Sequence, residues 1–305
     1  MQAIGKLVAS QAEYYTEQLR HSVGEDVPVV RGERMPAQVE YYAGHESPSR
    51  WMGSGLDRVG LEEAGEVDSD VFVRLMSHKT PDGESMVRRY ASHGKVAAFD
   101  HTFSAPKSVS LLYAFGDERV RREVTAAHQR AVGEGVAYMQ KHASQSRQAN
   151  KHKDDEGRWK VTTRTLESEG YMAAAFDHFT SRATDPQVHT HVVVINRVWA
   201  GEGWRALDGK RAYAHAKAGG SVYQTVLRDE LTQRLGVAWQ PVVNGVADIT
   251  GFSPELIRHF STRRQEIVEA VERYVAQVGG EAHRRVWQTF TMETRQPKTY
   301  PGGEA

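Results

Sequence analysis

The segment Asp185–Val198, "DPQVHTHVVVINRV", decides the fold of this chain, because a run of Val and Ile carries two histidines set two residues apart. Branched apolar residues favour extended backbone, so the segment predicts a strand. Side chains alternate along a strand, which puts His189 and His191 on one face and Thr190 on the other. The pattern therefore indicates either a pair of histidines on a solvated sheet face or a ligand site.

A third histidine, His178, lies on the preceding predicted strand, "GYMAAAFDHFT". The stretch "SRATDPQ" between the two strands predicts a hairpin loop, and antiparallel pairing would bring His178 beside His189 and His191. Three imidazoles on one sheet face are typical of a metal site, and three protein ligands leave positions open for catalysis. The chain has no cysteine, so thiolate ligands and disulfides are excluded.

The remaining pattern intersperses strands with helices. Short links join the strands near the histidines, which predicts antiparallel pairing. The expected fold class is α+β, a two-layer sandwich with a central antiparallel sheet, plus a helical C-terminal segment. We expect further strands at "KVAAFDHTFSA", "WKVTTRTLE" and "GWRAL", and helices at residues 8–20, 66–79, 106–115, 117–143 and 211–235, followed by charged helices that end near residue 295.

The charges of the chain balance overall but not locally. The sequence holds 39 basic and 39 acidic side chains, so its net charge is zero and a uniformly basic nucleic-acid binder is not indicated. Between Arg147 and Arg164, six basic side chains stand against three acidic ones, a local excess of three. This stretch is either a solvated loop or a basic binding surface.

The N-terminal stretch, "MQAIGKLVASQAEYYTEQLR", lacks the apolar core of a signal peptide. No apolar run approaches the roughly 20 residues that span a bilayer. The absence of cysteine fits a reducing compartment. We therefore expect a cytoplasmic protein without a membrane partner.

Two long motifs, "FDHTFSAPKSVSLLYAF" and "DPQVHTHVVVINRV", occur in this order, with "GWRALDG" behind them and two pairs of adjacent tyrosines in front. Together they closely resemble the relaxase domain of conjugative plasmids and integrative elements, of the MobF type within the HUH endonucleases, over residues 8–240. The resemblance implies a nickase and strand transferase that acts at an origin of transfer. A tyrosine attacks one phosphodiester of single-stranded DNA, and the products are a 5′-phosphotyrosine and a free 3′-hydroxyl.

The resemblance also implies roles for individual residues. A divalent ion, Mn, Mg, Zn or Ni, would be held by His178, His189 and His191 and would polarise the scissile phosphate. Asp100, the acidic residue of the first motif, would lie beside the tyrosine and the metal-bound histidines. Lys107 could contact a DNA phosphate or be an ordinary surface lysine. The expected DNA contacts are Lys107, Arg158, Lys160, Arg164 and Arg182.

The tyrosines depart from the family pattern. In familiar members a handful of residues separates the two tyrosine pairs, whereas residues 16–40 lie between Tyr15 and Tyr41 here. Tyr14 corresponds to the usual nucleophile, and the other catalytic candidates are Tyr15, Tyr41 and Tyr42. The alternative for any one pair is packing in the core.

Three units are expected along the chain. Residues 1–240 would form the relaxase catalytic core, residues 241–295 a helical segment that closes over DNA, and residues 296–305 a linker or truncated end. The expected partners are single-stranded and hairpin DNA at the origin of transfer, with accessory relaxosome proteins and a coupling protein as further candidates.

Two other classes of protein compete with this interpretation. One is a non-catalytic module that only binds an origin hairpin. The other is a small-molecule metalloenzyme of the cupin type, which also uses two histidines on a strand. The stretch "VVVIN" counts against it, because it supplies Asn196 where a cupin normally adds a glutamate.

Overall fold

The structure is a computed structural model and describes residues 2–12, 15, 49–87, 96–181 and 183–294. Its strands are β1 (Gln2–Leu7), β2 (Arg50–Met52), β3 (Ala98–Ser104), β4 (Ser146–Lys153), β5 (Trp159–Leu166), β6 (Ala173–Thr180), β7 (Pro186–Ile195), β8 (Val198–Trp199) and β9 (Trp204–Arg205). Its α-helices are α1 (Ser69–Met76), α2 (Lys107–Phe115), α3 (Glu118–Ala143), α4 (Gly209–Leu235), α5 (Pro254–His259), α6 (Thr262–Val278) and α7 (Arg284–Glu293). Short 3-10 helices cover Ala9–Gln11 and Ser54–Val59. Within the described ranges, no helix is both long and apolar enough to cross a bilayer.

An antiparallel sheet is the centre of the fold. Across the described residues it contains five strands in the order β1-β3-β7-β6-β2, and each neighbouring pair is antiparallel. The histidine-bearing strand β7 pairs with β3 on one side and β6 on the other, so it is central. A central strand is buried on both faces, which accounts for its continuous run of Val and Ile. The predicted α+β class with a central antiparallel sheet is confirmed.

The long helices α3 and α4 pack on one face of the sheet. Their buried side chains join Val188, Val192 and Val194 of β7 in an apolar cluster. Phe103 of β3 lies against Gly135 of α3, where an added Cβ would stand 2.7 Å from the ring. The burial of apolar surface between this sheet face and the helices is the main source of stability.

Shorter elements cover part of the other sheet face. Helix α1 contributes Phe72, Leu75 and Met76 to a second apolar cluster, which also contains Tyr15 and inner residues of β6 and β7. The sequence did not predict that these elements pack on this face. They place a wall of aromatic rings next to the end of the sheet where the histidines lie.

Most of the predicted elements are confirmed. Helix α2 begins directly after Pro106, and the carboxylates of Asp68 and Asp117 cap α1 and α3. The strands β1 and β2 were missed. β1 is a partly exposed strand at the edge of the sheet, and β2 has three residues, so neither gives a clear alternation. The predicted helix over residues 8–20 is described at residues 8–12 and 15, where a 3-10 helix covers Ala9–Gln11.

The basic stretch forms a two-stranded ribbon, so the prediction of a loop before Trp159 is wrong, while the strand predicted from Trp159 onward is confirmed. β4 and β5 pair from Ser146 opposite Leu166 to Lys153 opposite Trp159. Nearly all side chains of both strands are at least partly exposed. β4 therefore lacks the alternation of apolar and polar residues that marks a half-buried strand.

The C-terminal helices join the core through polar contacts as well as packing. Asp185, in the loop between β6 and β7, accepts hydrogen bonds from the backbone nitrogen of Thr262 at 2.9 Å and from its hydroxyl at 3.0 Å, and so caps α6. Of the described residues, α5 buries none. Ile249 still packs in the large apolar cluster. The division of the chain at residue 240 stays a prediction, and residues 296–305 lie outside the described ranges.

Two histidines are buried between the sheet and the long helices. Gln2 donates a side-chain hydrogen bond to Nδ1 of His101 at 3.0 Å, and His128 of α3 lies in the same layer. Burial lowers the pKa of both His101 and His128 to about 4, and nearby carboxylates offset only part of that effect. Both imidazoles are therefore neutral in the folded protein near pH 7.

The lowered pKa of His101 and His128 predicts that the protein is less stable in mild acid. Their pKa is lower in the folded protein than in the unfolded chain, where it is about 6.5, so the unfolded chain binds more protons between pH 6.5 and 4. The free energy of unfolding should therefore fall as the pH decreases through that window, by about 2 kcal/mol per histidine between pH 7 and 5. Urea unfolding at both pH values measures the change. His101→Leu should reduce the difference between the two pH values, and an unchanged difference in that variant would contradict the assignment.

Candidate active site

The pairing of β6 with β7 brings three histidines together on one face of the sheet. His178 lies directly opposite His189, and His191 follows on the same face. The ring centroid of His178 is 5.1 Å from that of His189 and 5.2 Å from that of His191, and the last two are 5.2 Å apart. The predicted antiparallel hairpin that places His178 beside the other two histidines is confirmed.

Asp100 of β3 fixes the ring of His191. Nδ1 of His191 donates to the Asp100 carboxylate, with its two oxygens at 2.8 Å and 2.9 Å. Thr102 lies opposite His191 on β3 and donates to the same carboxylate at 3.3 Å. Burial raises the pKa of Asp100, but the hydrogen bond and charge interaction with His191 and the hydrogen bond from Tyr15 outweigh it and lower the pKa. Asp100 therefore stays ionised, and its bond to Nδ1 leaves Nε2 of His191 available as a ligand.

Tyr15 completes the contacts of Asp100. Its hydroxyl donates to the carboxylate at 3.2 Å. The Tyr15 ring is buried, with its centroid 4.9 Å from that of Phe176, 6.1 Å from Phe72 and 6.0 Å from His191. One tyrosine of the first pair is thus anchored beside the histidines by aromatic packing and by one charged acceptor.

His189 is held in the neutral form with a defined tautomer. Its Nδ1 donates to the backbone carbonyl of Gln187 at 2.9 Å, which leaves Nε2 without the proton. Burial lowers the pKa of His189 well below its usual range, and the neighbouring His178 and His191 lower it further. A neutral imidazole is the form that binds a metal ion.

The residue types and ring spacing of this trio fit a divalent ion. Three imidazoles around one tetrahedral ion, with metal–nitrogen distances of about 2.0–2.1 Å, have centroids roughly 5 Å apart. In the part of the chain that the structure describes, no group of three or more His, Cys, Asp or Glu side chains, this trio included, is set to hold an ion as it stands. The fit therefore lies in residue type, shared sheet face and ring spacing.

The ammonium group of Lys107 is bonded to another part of the protein. Its Nζ donates to the carbonyl of Pro186 at 2.7 Å, and burial lowers its pKa, against the opposing effect of Asp185. A helix N-terminus presents backbone N–H groups that can bind a phosphate, so the start of α2 is a second possible phosphate contact. Asp248 occupies that position by accepting from the nitrogen and the hydroxyl of Ser108 at 3.1 Å and 2.7 Å. A role for Lys107 in DNA binding stays a prediction.

Three further predicted DNA contacts, Arg158, Lys160 and Arg164, lie on the ribbon of β4 and β5. Arg158 and Lys160 both reach Asp154 at the tip, at 3.1 Å and 3.3 Å, and Arg164 donates to Gln148 at 3.0 Å. Six residues join β5 to β6, and His178 lies five residues along β6, roughly 17 Å from the start of that strand. Of the other predicted site residues, Tyr14, Tyr41, Tyr42 and Arg182 lie outside the described ranges.

Two supporting groups of this site were missed in the sequence. The Gln187 carbonyl and the Thr102 hydroxyl each hold a histidine or its carboxylate partner. Thr102 could have been found from alternation, since it stands two residues after Asp100 on the same strand face. The carbonyl could not, because a backbone acceptor has no signature in side-chain identity.

Comparisons with known proteins agree with this geometry. The TrwC relaxase family model matches residues 8–304. The chain is 32% identical over 269 residues to the multifunctional conjugation protein TraI of Escherichia coli, and 30% identical over 271 residues to that of Escherichia coli strain K12. Each match covers 85% of this chain and 14% of the relative, so the chain spans about one seventh of the length of these relatives.

The structure is also similar to solved structures of the conjugative relaxase TrwC in complex with DNA. A copper-bound complex with oriT DNA matches with a TM-score of 0.73 and 27% identity. A complex with a 27-mer DNA comprising the recognition hairpin and the cleavage site matches with a TM-score of 0.70 and 28% identity. Each match covers 98% of this chain and 92% of the TrwC chain. The chain belongs to the TrwC relaxase family, of the MobF type that its motifs predict.

Proposed function

We propose that this chain is a relaxase domain that nicks single-stranded DNA at the origin of transfer of a plasmid or integrative element. It forms a covalent 5′-phosphotyrosine and transfers the strand in conjugation. The observation that carries the proposal is the series of contacts from three histidines through Asp100 to a tyrosine hydroxyl. The similarity to TraI and to TrwC bound to oriT DNA supports it. Such DNA is nicked inside the cell, so the proposed location is the cytoplasm.

The proposed cofactor is a divalent metal ion on His178, His189 and His191. The similarity to a copper-bound and a metal-bound structure of TrwC supports a metal cofactor. Nitrogen ligands favour Zn or Ni, whereas Mn and Mg would rely more on oxygen from phosphate and water. When bound, the ion supplies Lewis-acid stabilisation of charge on the scissile phosphate.

Asp100 is the proposed positioning group of the site. Its lowered pKa makes it a weak base near pH 7, which argues against a role as the main proton acceptor. Its two oxygens instead fix His191 on one side and Tyr15 on the other. The carboxylate would thereby fix the distance between His191, a proposed metal ligand, and Tyr15.

Tyr14 is the proposed nucleophile. It adjoins Tyr15 in the chain, and the ring of Tyr15 is fixed beside Asp100 and His191. Attack forms a bond from Tyr14 Oη to phosphorus and breaks the bond from phosphorus to the 3′ oxygen, which takes up a proton and leaves as a hydroxyl. Ionising a tyrosine at pH 7 costs about 4 kcal/mol, and positive charge in the site lowers that cost. Tyr41 and Tyr42 are candidates for a second transfer step.

The nucleophile assignment predicts that Tyr14→Phe retains DNA binding and loses the covalent adduct, because the change deletes only the attacking oxygen. Labelled single-stranded oligonucleotides tiled across the DNA that carries the gene, followed on a denaturing gel, provide the assay. Tyr41→Phe should still form adduct in a single turnover.

Trypsin distinguishes the two tyrosine pairs in this assay. It places Tyr14 and Tyr15 on the peptide of residues 7–20, and Tyr41 and Tyr42 on the peptide of residues 35–50. DNA found only on the second peptide would show that the nucleophile is wrongly assigned. Tight DNA binding without any adduct would favour the non-catalytic hairpin-binding module.

The metal assignment predicts that His178→Ala, His189→Ala and His191→Ala each lower the cleavage rate by roughly a hundredfold or more, since Lewis-acid stabilisation contributes several kcal/mol. Circular dichroism should show a retained fold. His142→Ala, which changes a histidine of α3 that stacks on His215, is the matched control and should cleave normally. Cleavage by all three site variants after chelator treatment would show that the metal site is wrong.

The ribbon is the proposed second DNA contact. Trp159 is 70% exposed, and the ammonium of Lys153 lies 5.4 Å from its ring centroid. An exposed aromatic ring with basic neighbours suits base stacking and phosphate contact. The acidic residues at the tip already pair with Arg158 and Lys160, so binding would require these ion pairs to open or to be shared with phosphate.

The ribbon assignment predicts a change in salt dependence. Reversing Arg158, Lys160 and Arg164 to Glu should weaken binding to single-stranded DNA and reduce the slope of log affinity against log salt by about 2. Fluorescence anisotropy at several salt concentrations measures the slope. A triple reversal at Arg119, Arg122 and Arg130 on α3 makes the same change in net charge and should leave the slope nearly unaltered. Equal effects of both triple variants would contradict a specific role of the ribbon.

A further inference from the structure

A chain of buried hydrogen bonds lies behind the histidines, on the opposite face of the same strands. Thr190 stands between His189 and His191 in the sequence but points towards the helices, in a row with Val188 and Val192. Its side chain is fully buried. A valine would have the same shape and no polar group. Burying the Thr190 hydroxyl costs free energy unless it forms hydrogen bonds, so its partners have to be identified.

The hydrogen bonds of this chain, which we term the relay, run in one direction. Ionised Asp177 can only accept, so the Thr190 hydroxyl donates to it. With its proton used, Thr190 accepts from Nε2 of His128 at 2.8 Å. Neutral His128 then accepts at Nδ1 from the hydroxyl of Tyr223 at 2.8 Å. The relay Tyr223–His128–Thr190–Asp177 is thus satisfied at each step, which makes a buried polar network rigid.

The acidic end of the relay is tied to two other elements. Arg50 of the edge strand β2 donates to Asp177 at 2.7 Å, and Gln129 of α3 donates to the same oxygen at 2.9 Å. Asp177 is almost fully buried in this ion pair. The relay therefore joins β6, β7, β2 and the long helices at one level of the sheet.

That level is directly next to the histidine pair. Asp177 opposite Thr190 and His178 opposite His189 are consecutive pairs, and the pairing becomes irregular between His178 and Thr180. A slip of one residue would move His178 to the helix-facing side. The irregular pairing beyond His178 cannot oppose that slip, so it is opposed from the other side by the regular pairs from Ala173 to Asp177. The bond from Thr190 to Asp177 is the side-chain contact in the last of these pairs, next to the histidines.

We propose that Thr190 and Asp177, backed by His128, are positioning residues for the three-histidine site. They hold His178 at its distance from His189 and His191, and so set the affinity of the site for metal without contacting DNA. The inference depends on the proposed function, since it treats the three histidines as metal ligands.

Thr190→Val tests the inference, because it removes the hydroxyl and keeps the shape. Tyr171→Phe is the matched control: it removes another buried hydroxyl, which donates to the Met139 carbonyl at 3.2 Å outside the relay. Both variants should lower Tm by a few degrees. Co²⁺ titrated into metal-free protein, followed by visible absorption, should bind Thr190→Val about tenfold more weakly than the wild type. Tyr171→Phe should bind it normally, and Thr190→Ser should recover the affinity.

The outcomes separate the inference from the proposed function. Wild-type affinity and spectrum in Thr190→Val would overturn the inference alone, provided that the wild type binds Co²⁺ and forms adduct. An equal loss in Tyr171→Phe would also overturn it, because the effect would then follow stability. A wild type that neither binds Co²⁺ nor forms adduct would overturn both. If Thr190→Val does not fold, Tyr223→Phe is tested instead, with an expected loss of about threefold at the far end of the relay.

Discussion

β6 and β7 pair residue by residue until His178 meets His189, and the pairing becomes irregular just beyond that point. Because a strand presents its side chains with a period of two, this register decides whether three imidazoles share one face. The neighbouring strand β3 then adds Asp100 on the same face, and the loop that joins β6 to β7 supplies the cap of α6. The proximity of the three histidines follows from this one pairing, and that of Asp100 to His191 follows from the pairing of β3 with β7.

The two faces of the central sheet differ in composition: one carries most of the apolar core and the other carries the candidate site. The face towards α3 and α4 carries most of the apolar burial, together with a small number of fully bonded polar groups. The other face carries Asp100 and the three histidines next to an aromatic wall of Tyr15, Phe72 and Phe176. The polar groups of the candidate site can thus lie close together, because apolar burial in the opposite layer supplies most of the stability of the domain.

Local sequence was sufficient to predict the histidine face, since alternation alone pairs His189 with His191 and a short loop brings in His178. The caps of α1 and α3 were predictable for the same reason, as each depends on one residue beside its own helix. The partner of Ser108 was not, because Asp248 lies 140 residues away in the chain. β4 was missed because a ribbon with solvent on both faces has no apolar period. The relay was missed because threonine is common in strands, and the sequence alone does not show that Thr190 contacts Asp177 of β6 and His128 of α3.

The cap that Asp185 provides for α6 is a joint between the C-terminal helices and the loop that connects the two histidine-bearing strands. The C-terminal helices meet this region through two hydrogen bonds to Thr262 and a contact of Phe115 with Phe260, and α5 contributes no buried residue among those described. Helix α6 also buries Ile267, Ala270 and Val271. Undocking at this joint would expose fewer buried apolar residues than unfolding of the sheet and the long helices, so its free energy is the smaller of the two. A local opening at this joint would leave the arrangement of the histidines unchanged, because β6 and β7 are held by a core to which the joint does not belong.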